Sequence, residues 1–221
     1  MEKNQNQFLK FKKKILNQVL IDIEKFGFNE KTLLISSKKC NISKGYLGRL
    51  FPEGISELKK FFFENIDDKM LKKIKKNDYS KLRIRDKIFN SVMIRLTILN
   101  KNKPSVKKIL ASEIDRPHNV IKNLWKTSDL IWISAGDNST DYNYYTKRSL
   151  LSWVYISTFL CWLNDNDKNL SKTKFFLNKR IDEILQFGKN SGKLKSIINN
   201  VNISSKIIDL LKNFKKNYKK N

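Results

Sequence analysis

The sequence contains little glycine and proline, with only 7 Gly and 3 Pro among 221 residues. Sheets built from many short strands need tight turns, and such turns favour these two residues. The chain consists instead of long segments with apolar residues at helical spacing, separated by short polar breaks. We therefore predict an all-α fold. No run approaches the roughly 18 apolar residues of a membrane-spanning helix, so none is predicted.

Histidine and cysteine are nearly absent, which limits metal and nucleophile chemistry. His118 is the only histidine, so metal sites with several histidines are excluded. A Ser-His-Asp triad would have to use His118, which is expected at the start of a helix. Cys40 and Cys161 form no CxxC pattern and are expected to be small buried side chains. We predict no catalytic residue, no metal site and no cofactor, and hence a protein that is not an enzyme.

Arginine is also scarce, since it supplies only 7 of the 46 basic residues in a chain whose formal net charge is +25. Such a charge favours nucleic-acid or anionic-membrane partners. Lysine, however, binds phosphate less specifically than the forked guanidinium of arginine. The charge alone is therefore weak evidence for a DNA-binding protein.

The amino-terminal part of the chain has the outline of a helix-turn-helix. Helices are predicted over about residues 7–26, 30–39 and 43–50, with a polar turn at 40–42. The segment NISKGYLGRLFPEGISELKKFFF resembles the corresponding region of TetR-type repressors, in which Lys44, Tyr46 and Arg49 would face the major groove. The alternative is that the same unit is kept only as a folding module.

The remaining helices divide the chain into four parts. They are predicted over about residues 58–75, 81–99, 106–110, 120–133, 144–163, 170–187 and 203–221. The parts are residues 1–75 with the helix-turn-helix-like unit, a helical body over 76–189, a flexible joint over 190–202, and an amphipathic helix over 203–221.

A polar elbow, AGDNSTDYNYY, lies between two of these helices. Asp137 and Asp141 could form a carboxylate pair for acid–base chemistry. Gly136 followed by Asp, Asn, Ser and Thr is more typical of the end of one helix and the cap of the next. We therefore favour capping over catalysis.

The segment Leu124–Lys189 closely resembles the ubiquinone-biosynthesis accessory family, that is, the ninth coenzyme Q biosynthesis protein and its bacterial relatives. The family pattern I-W-x-x-A-G-D-x-S-T-D-F-N-W-Y-T-R/K-R stands here as IWISAGDNSTDYNYYTKR. Tyr142 replaces the usual Phe, and Tyr144 replaces the usual Trp. The resemblance implies a TetR-like helical bundle that no longer binds DNA, holds an isoprenoid lipid of the quinone type, associates with membranes, and docks the di-iron demethoxyubiquinone hydroxylase.

The resemblance also implies where the hydroxylase binds. Residues at the end of one helix and the start of the next are expected to converge on one exposed aromatic patch with charged edges; they are Asp129, Trp132, Tyr144, Tyr145 and Arg148. Tyrosine, tryptophan and arginine are the usual anchors of such interfaces. In the alternative, Trp132 belongs to the core and Arg148 pairs with Asp141.

The helix that follows the elbow is apolar on nearly all faces. Over Ser149–Leu163 it rises only about 22 Å at ~1.5 Å per residue, which is less than the ~30 Å hydrocarbon core of a bilayer. We expect it to be buried in protein, beside core helices or a bound apolar tail. The predicted lipid-binding residues are Ile88, Val92, Leu124, Ile131, Leu151, Tyr155 and Phe159. Each of them could equally be an ordinary core residue.

The last segment predicts a membrane-binding helix independently of any family. Ile203, Ile207, Leu211, Phe214 and Tyr218 lie on one helical stripe, and most lysines lie elsewhere. Docking of this helix onto the body, or a contact in a dimer, remains the alternative.

The sequence thus predicts a lipid-binding adaptor, peripheral on the bacterial inner membrane or on the matrix face in mitochondria. A TetR-type regulator that binds DNA through Ser43–Leu50, with an effector in its helical body, is the alternative. Lipid identity and dimerisation stay open.

Overall fold

The fold was analysed in a computed structural model that describes residues 2–77, 79, 81–189 and 203–220. The described residues form ten helices: α1 (Glu2–Phe26), α2 (Glu30–Lys39), α3 (Lys44–Leu50), α4 (Ile55–Lys76), α5 (Ile84–Asn100), α6 (Lys103–Glu113), α7 (Pro117–Ser134), α8 (Tyr142–Leu163), α9 (Ser171–Lys189) and α10 (Ile203–Lys220). Within these ranges no strand occurs, and the predicted all-α class is confirmed. The predicted joint, residues 190–202, lies outside the described residues.

The helix ends follow from local backbone chemistry. Gly27, at a φ of 74°, directly follows the last residue of α1, a conformation that costs glycine little. The side chain of Asn29 accepts the Thr32 N–H and caps α2, and that of Ser43 accepts the Tyr46 N–H and caps α3. The predicted helix-turn-helix outline is therefore present.

Tyr46 of this helix-turn-helix outline packs against another helix of the protein. Its ring packs edge-on against Phe11 of α1, with 5.5 Å between the ring centroids, while Lys44 and Arg49 are exposed. Tyr46 therefore packs against a neighbouring helix, as expected if the unit serves as a folding module. This observation gives the DNA-binding alternative no support.

The chain divides into two compact units that are discontinuous in sequence. The first comprises residues 1–66 and 101–112, and the second comprises residues 67–100 and 113–221. Helix α6 packs with the amino-terminal helices, since Ser105 donates to the Leu20 carbonyl (2.9 Å) and Lys108 donates to the Ile23 carbonyl (3.3 Å). The four parts expected from the sequence remain a prediction.

Helix α8 is the central element of the second unit. It contacts α5, α7, α9 and α10, and its side chains from Val154 to Phe159 are all buried. A helix with neighbours on every side has to be apolar on nearly all faces. The prediction that protein surrounds this helix is confirmed.

Helix α10 packs against α7 and α8. Ile207 and Leu211 are each only 1% exposed. Lys206 lies over the Trp153 ring, 5.8 Å from its centroid, and Lys215 forms an ion pair with Asp115. This is the docked arrangement that the sequence left as an alternative. Membrane binding by the same apolar stripe remains a prediction, and it requires α10 to leave this position. Among the described helices, none combines enough length and hydropathy to cross a bilayer.

Candidate functional site

The elbow between α7 and α8 is held by backbone hydrogen bonds at both ends. The Asp137 N–H donates to the Trp132 carbonyl and the Gly136 N–H donates to the Ile133 carbonyl, each at 3.0 Å, while Gly136 adopts a φ of 94°. This is a Schellman motif. The side chain of Asp141 caps α8 by accepting the Asn143 N–H at 3.0 Å. Capping by Gly136 and Asp141 is therefore as predicted, and Asp137 has a different role.

Arg148 lies beneath the elbow between two carboxylates. Its Nε donates to Asp129 Oδ1 at 2.6 Å, and one terminal nitrogen donates to Asp137 Oδ2 at 2.8 Å. The guanidinium carbon is 3.6 Å from the centroid of the Tyr144 ring. Arg148 is only 1% exposed, so it supports the surface from below and does not lie on it. Its partners are Asp129 and Asp137, where the sequence had suggested Asp141 as the alternative.

Asp137 joins Arg148 to Lys147, the preceding residue of α8. Its Oδ1 accepts from Lys147 Nζ at 2.6 Å and from Ser139 Oγ at 2.7 Å. Burial alone would raise the pKa of this carboxyl, but the hydrogen bonds from Lys147, Ser139 and Arg148 prevail and hold the pKa of Asp137 well below its usual range. The carboxylate therefore stays ionised and links the elbow to α8 through charge-assisted hydrogen bonds.

Asp137→Asn is expected to reduce the free energy of unfolding by about 1–3 kcal/mol at neutral pH, because the three charge-assisted hydrogen bonds from Lys147, Ser139 and Arg148 lose their acceptor charge. The native-state pKa of Asp137 is lowered, so the folded protein binds fewer protons than the unfolded chain. This contribution is complete above the unfolded pKa of about 3.9 and is lost as pH falls through and below that value.

The measurement is urea denaturation followed by circular dichroism at neutral and acidic pH. Asp141→Asn is the matched control, because asparagine caps helices as well as aspartate does. The stability gap between wild type and Asp137→Asn should narrow below pH ~4; equal stability of the two proteins at neutral pH would refute the assignment.

Aromatic rings cover Arg148 on its outer side. The Tyr144 hydroxyl donates to Asp129 Oδ1 at 3.3 Å, and its ring centroid lies 5.1 Å from that of Tyr145. Trp125 completes the group, with centroids 6.4 and 6.2 Å from these two rings. Tyr145 is 61% exposed. The result is an aromatic patch with one ring pointing largely into solvent.

Trp132 lies beside this patch and is also fixed by α8. Its indole Nε1 donates to the Lys147 carbonyl at 3.0 Å, and Lys147 Nζ lies 5.4 Å from the centroid of its ring. We refer to Trp125, Trp132, Tyr144 and Tyr145 together as the elbow surface. The structure thus brings together all five residues predicted for partner binding. Trp125 was missed, although its position four residues before Asp129 and seven before Trp132 places it on the same face of α7.

The residues predicted to bind lipid lie in the second unit, on α5, α7 and α8. Ile88, Val92, Leu124, Ile131, Leu151, Tyr155 and Phe159 are all buried. Besides the Arg148 network, a buried ion pair lies beside these residues: Arg95 Nε donates to Asp67 Oδ1 at 2.8 Å, and Arg95 also donates to the Tyr155 hydroxyl. Arg95 was not among the residues predicted from the sequence. Its signal was a charged residue on the stripe that Val92, Leu96 and Leu99 make apolar.

The residues considered for catalysis and metal binding are dispersed. His118 is exposed at the start of α7, and Cys40 and Cys161 are free thiols. Burial raises the pKa of both thiols, which reduces their reactivity. Over the described ranges, no group of three or more His, Cys, Asp or Glu side chains is arranged to hold a metal ion.

Comparison with known proteins places the elbow in a family context. The family model COQ9 matches residues 118–188. The chain is 32% identical to the mitochondrial ubiquinone biosynthesis protein COQ9 of Homo sapiens over 83 residues, which are 36% of this chain and 26% of that protein. It is 25% identical to the probable mitochondrial ubiquinone biosynthesis protein coq9 of Dictyostelium discoideum over 188 residues, which are 78% of this chain and 59% of that protein.

The matched segment contains α7, the elbow, α8 and nearly all of α9. It therefore includes the whole ion-pair network around Arg148 and every residue of the elbow surface. The chain spans about a quarter of the human relative and more than half of the Dictyostelium relative. The resemblance inferred from the elbow motif is confirmed, and the chain carries a COQ9-family segment over residues 118–188.

Proposed function

We propose that this protein is a lipid-binding accessory protein of ubiquinone biosynthesis. It holds an isoprenoid quinone precursor in its second unit and presents it to the demethoxyubiquinone hydroxylase at the elbow surface. The catalytic chemistry belongs to the hydroxylase. The observation that carries the proposal is that the family motif builds an aromatic surface fixed from below by a buried Arg148 network, with Tyr145 left exposed.

Rigid aromatic side chains suit a protein interface because they bury large areas with little loss of conformational entropy. At the elbow, hydrogen bonds and a cation–π contact already hold Tyr144 and Trp132 in place. A partner therefore does not have to order these rings when it binds. This preorganisation supports the elbow surface as the hydroxylase-docking face.

The lipid-binding part of the proposal rests on the helices that meet at α8. They are long enough to line an isoprenoid chain, and the residues nominated for it are apolar or aromatic and buried together. Helix α10, which has an apolar stripe and many lysines, would keep the protein on an anionic membrane. Since the relatives are named mitochondrial proteins, we propose that the protein lies on the matrix face of the mitochondrial inner membrane.

The full chain, purified from cells that make ubiquinone, should retain a lipid. Native mass spectrometry is expected to show protein with an added mass that organic extraction and tandem mass spectrometry assign to an isoprenoid quinone or its precursor. Treatment with detergent and gel filtration provides the lipid-free reference. Protein that is folded by circular dichroism but carries no isoprenoid, and binds none when a short-tail ubiquinone is added, would refute the proposal.

A further inference from the structure

Thr158 of α8 has a buried hydroxyl for which the described residues supply no hydrogen bond. The residue is 0% exposed, and its Oγ1 has no hydrogen-bond partner in the part of the chain that the structure describes. Serine and threonine inside helices usually bond back to a carbonyl of the preceding turn, and on the same helix Ser152 donates to the Arg148 carbonyl (2.8 Å) and Ser157 to the Val154 carbonyl (3.0 Å). Buried polar groups of this kind are rare, because losing water without gaining a partner is unfavourable.

The hydroxyl shares a helix face with a second polar feature. Leu151, Tyr155, Thr158 and Trp162 follow one another at spacings of four, three and four residues, which places them on one face of α8. Tyr155 on this face accepts a hydrogen bond from Arg95, and Arg95 Nε donates a second hydrogen bond to Asp67. Burial, the largest influence, raises the pKa of Tyr155, so the phenol stays neutral and has a proton to donate.

The ion pair between Arg95 and Asp67 is not explained by its contribution to the stability of the fold. Arg95 is 3% exposed and Asp67 6%, and a buried ion pair often stabilises a fold no better than well-packed apolar residues of similar volume. Aromatic rings continue along α8 from the cluster, with centroids 6.0 Å apart between Tyr155 and Phe159 and 5.2 Å apart between Phe159 and Trp162. The Arg95 cluster therefore lies beside a row of aromatic rings on α8.

The geometry points to Tyr155 and Thr158 as the recognition site for the oxygenated ring of the bound lipid, with Arg95 and Asp67 as positioning residues that orient the Tyr155 hydroxyl. The ligand class is an isoprenoid whose ring carries carbonyl, hydroxyl or methoxy oxygens. Those oxygens take hydrogen bonds from the two hydroxyls, and the ring packs against Phe159. This inference rests on the proposed lipid-binding function, and it adds which side chains of α8 recognise the ring.

The test compares two probes on the full chain: a short-tail ubiquinone and a ring-free isoprenoid hydrocarbon of the same tail length. Competition followed by native mass spectrometry gives the ratio of their affinities. Thr158→Val and Tyr155→Phe each remove one hydroxyl and keep the shape. Each is expected to weaken ubiquinone binding about tenfold, equivalent to about 1.4 kcal/mol, and to leave hydrocarbon binding within about twofold of wild type, because the lost group is a single hydrogen bond to the ring.

Ser157→Ala is the matched control, since it removes a neighbouring buried hydroxyl that the helix already satisfies. It is expected to leave the affinity ratio unchanged. Thr158→Val should fold at least as well as wild type, because it replaces an unpaired buried hydroxyl with a methyl group, and this secures the test against loss of structure.

The outcomes separate the two proposals. If the wild-type chain binds neither probe, the proposed lipid-binding function fails. If it binds both probes, and Thr158→Val and Tyr155→Phe leave the ratio unchanged, lipid binding stands and ring recognition at α8 is refuted.

Discussion

Tyr145→Asp is expected to weaken binding of the hydroxylase more than about 100-fold while lowering the free energy of unfolding by only about 1 kcal/mol. A central aromatic anchor of an interface is worth roughly 2 kcal/mol or more, and burying an unpaired carboxylate against the partner adds to the loss. In the free protein, by contrast, Tyr145 is largely exposed and its ring packs against those of Trp125 and Tyr144, each contact worth about 1 kcal/mol or less at such a site.

Tyr142→Asp provides the matched control for this experiment. Tyr142 is on the same helix, is 51% exposed, and undergoes the same change in charge, yet it lies outside the elbow surface. Binding is measured by isothermal titration calorimetry with purified hydroxylase, and stability by thermal melting. If Tyr142→Asp and Tyr145→Asp behave alike, the elbow surface is not the docking face. Tyr144→Asp is less informative, since Tyr144 packs on Arg148 and would be destabilised.

Removal of residues 203–221 is expected to lower the affinity for anionic liposomes more than about 100-fold in a flotation assay. A fully buried large apolar side chain contributes about 1.5–3 kcal/mol, and a lysine near anionic lipid about 1 kcal/mol. Helix α10 supplies several of each kind. Only part of this total survives partial insertion and the loss of the docked contacts that bury Ile207 and Leu211, but several kcal/mol should remain.

Point variants separate membrane binding from docking. Ile207→Ser combined with Leu211→Ser should abolish flotation, whereas Asn213→Ser combined with Asn217→Ser, on exposed positions of the same helix, should leave it intact. Raising the salt concentration should weaken the wild-type interaction by screening the lysines. Flotation of the truncated chain equal to that of wild type would show that α10 serves only to cover α7 and α8.

Most helix ends could be predicted because their signals are local. Gly27 and Gly136 adopt positive φ directly after helices, and Asn29, Ser43 and Asp141 cap the helices that follow them. Each signal involves only atoms within a few residues along the chain, so the sequence states it directly. The beginning of α1 was predicted five residues too late, because residues 2–6 are all polar and no apolar spacing marks them.

The sequence predicted which residues meet at the elbow, but not that Arg148 is buried there. The motif brought Asp129, Trp132, Tyr144, Tyr145 and Arg148 to one place, as the structure shows. That Arg148 is buried depends on Asp137, which reaches back from the elbow to share it with Asp129. A guanidinium can be buried only where enough carboxylates meet it, and this convergence is a property of the packed helices.

The residues alone were sufficient for the all-α class, the order of the helices, the elbow and the amphipathic stripe of α10, because helical period and capping act over short distances along the chain. Three features came only with packing: α6 joins the amino-terminal unit, α10 lies on α7 and α8, and Arg95 meets Asp67 and Tyr155 inside an apolar body. Each depends on contacts between segments far apart in sequence, and a periodic pattern shows which face of a helix is buried but not which partner buries it.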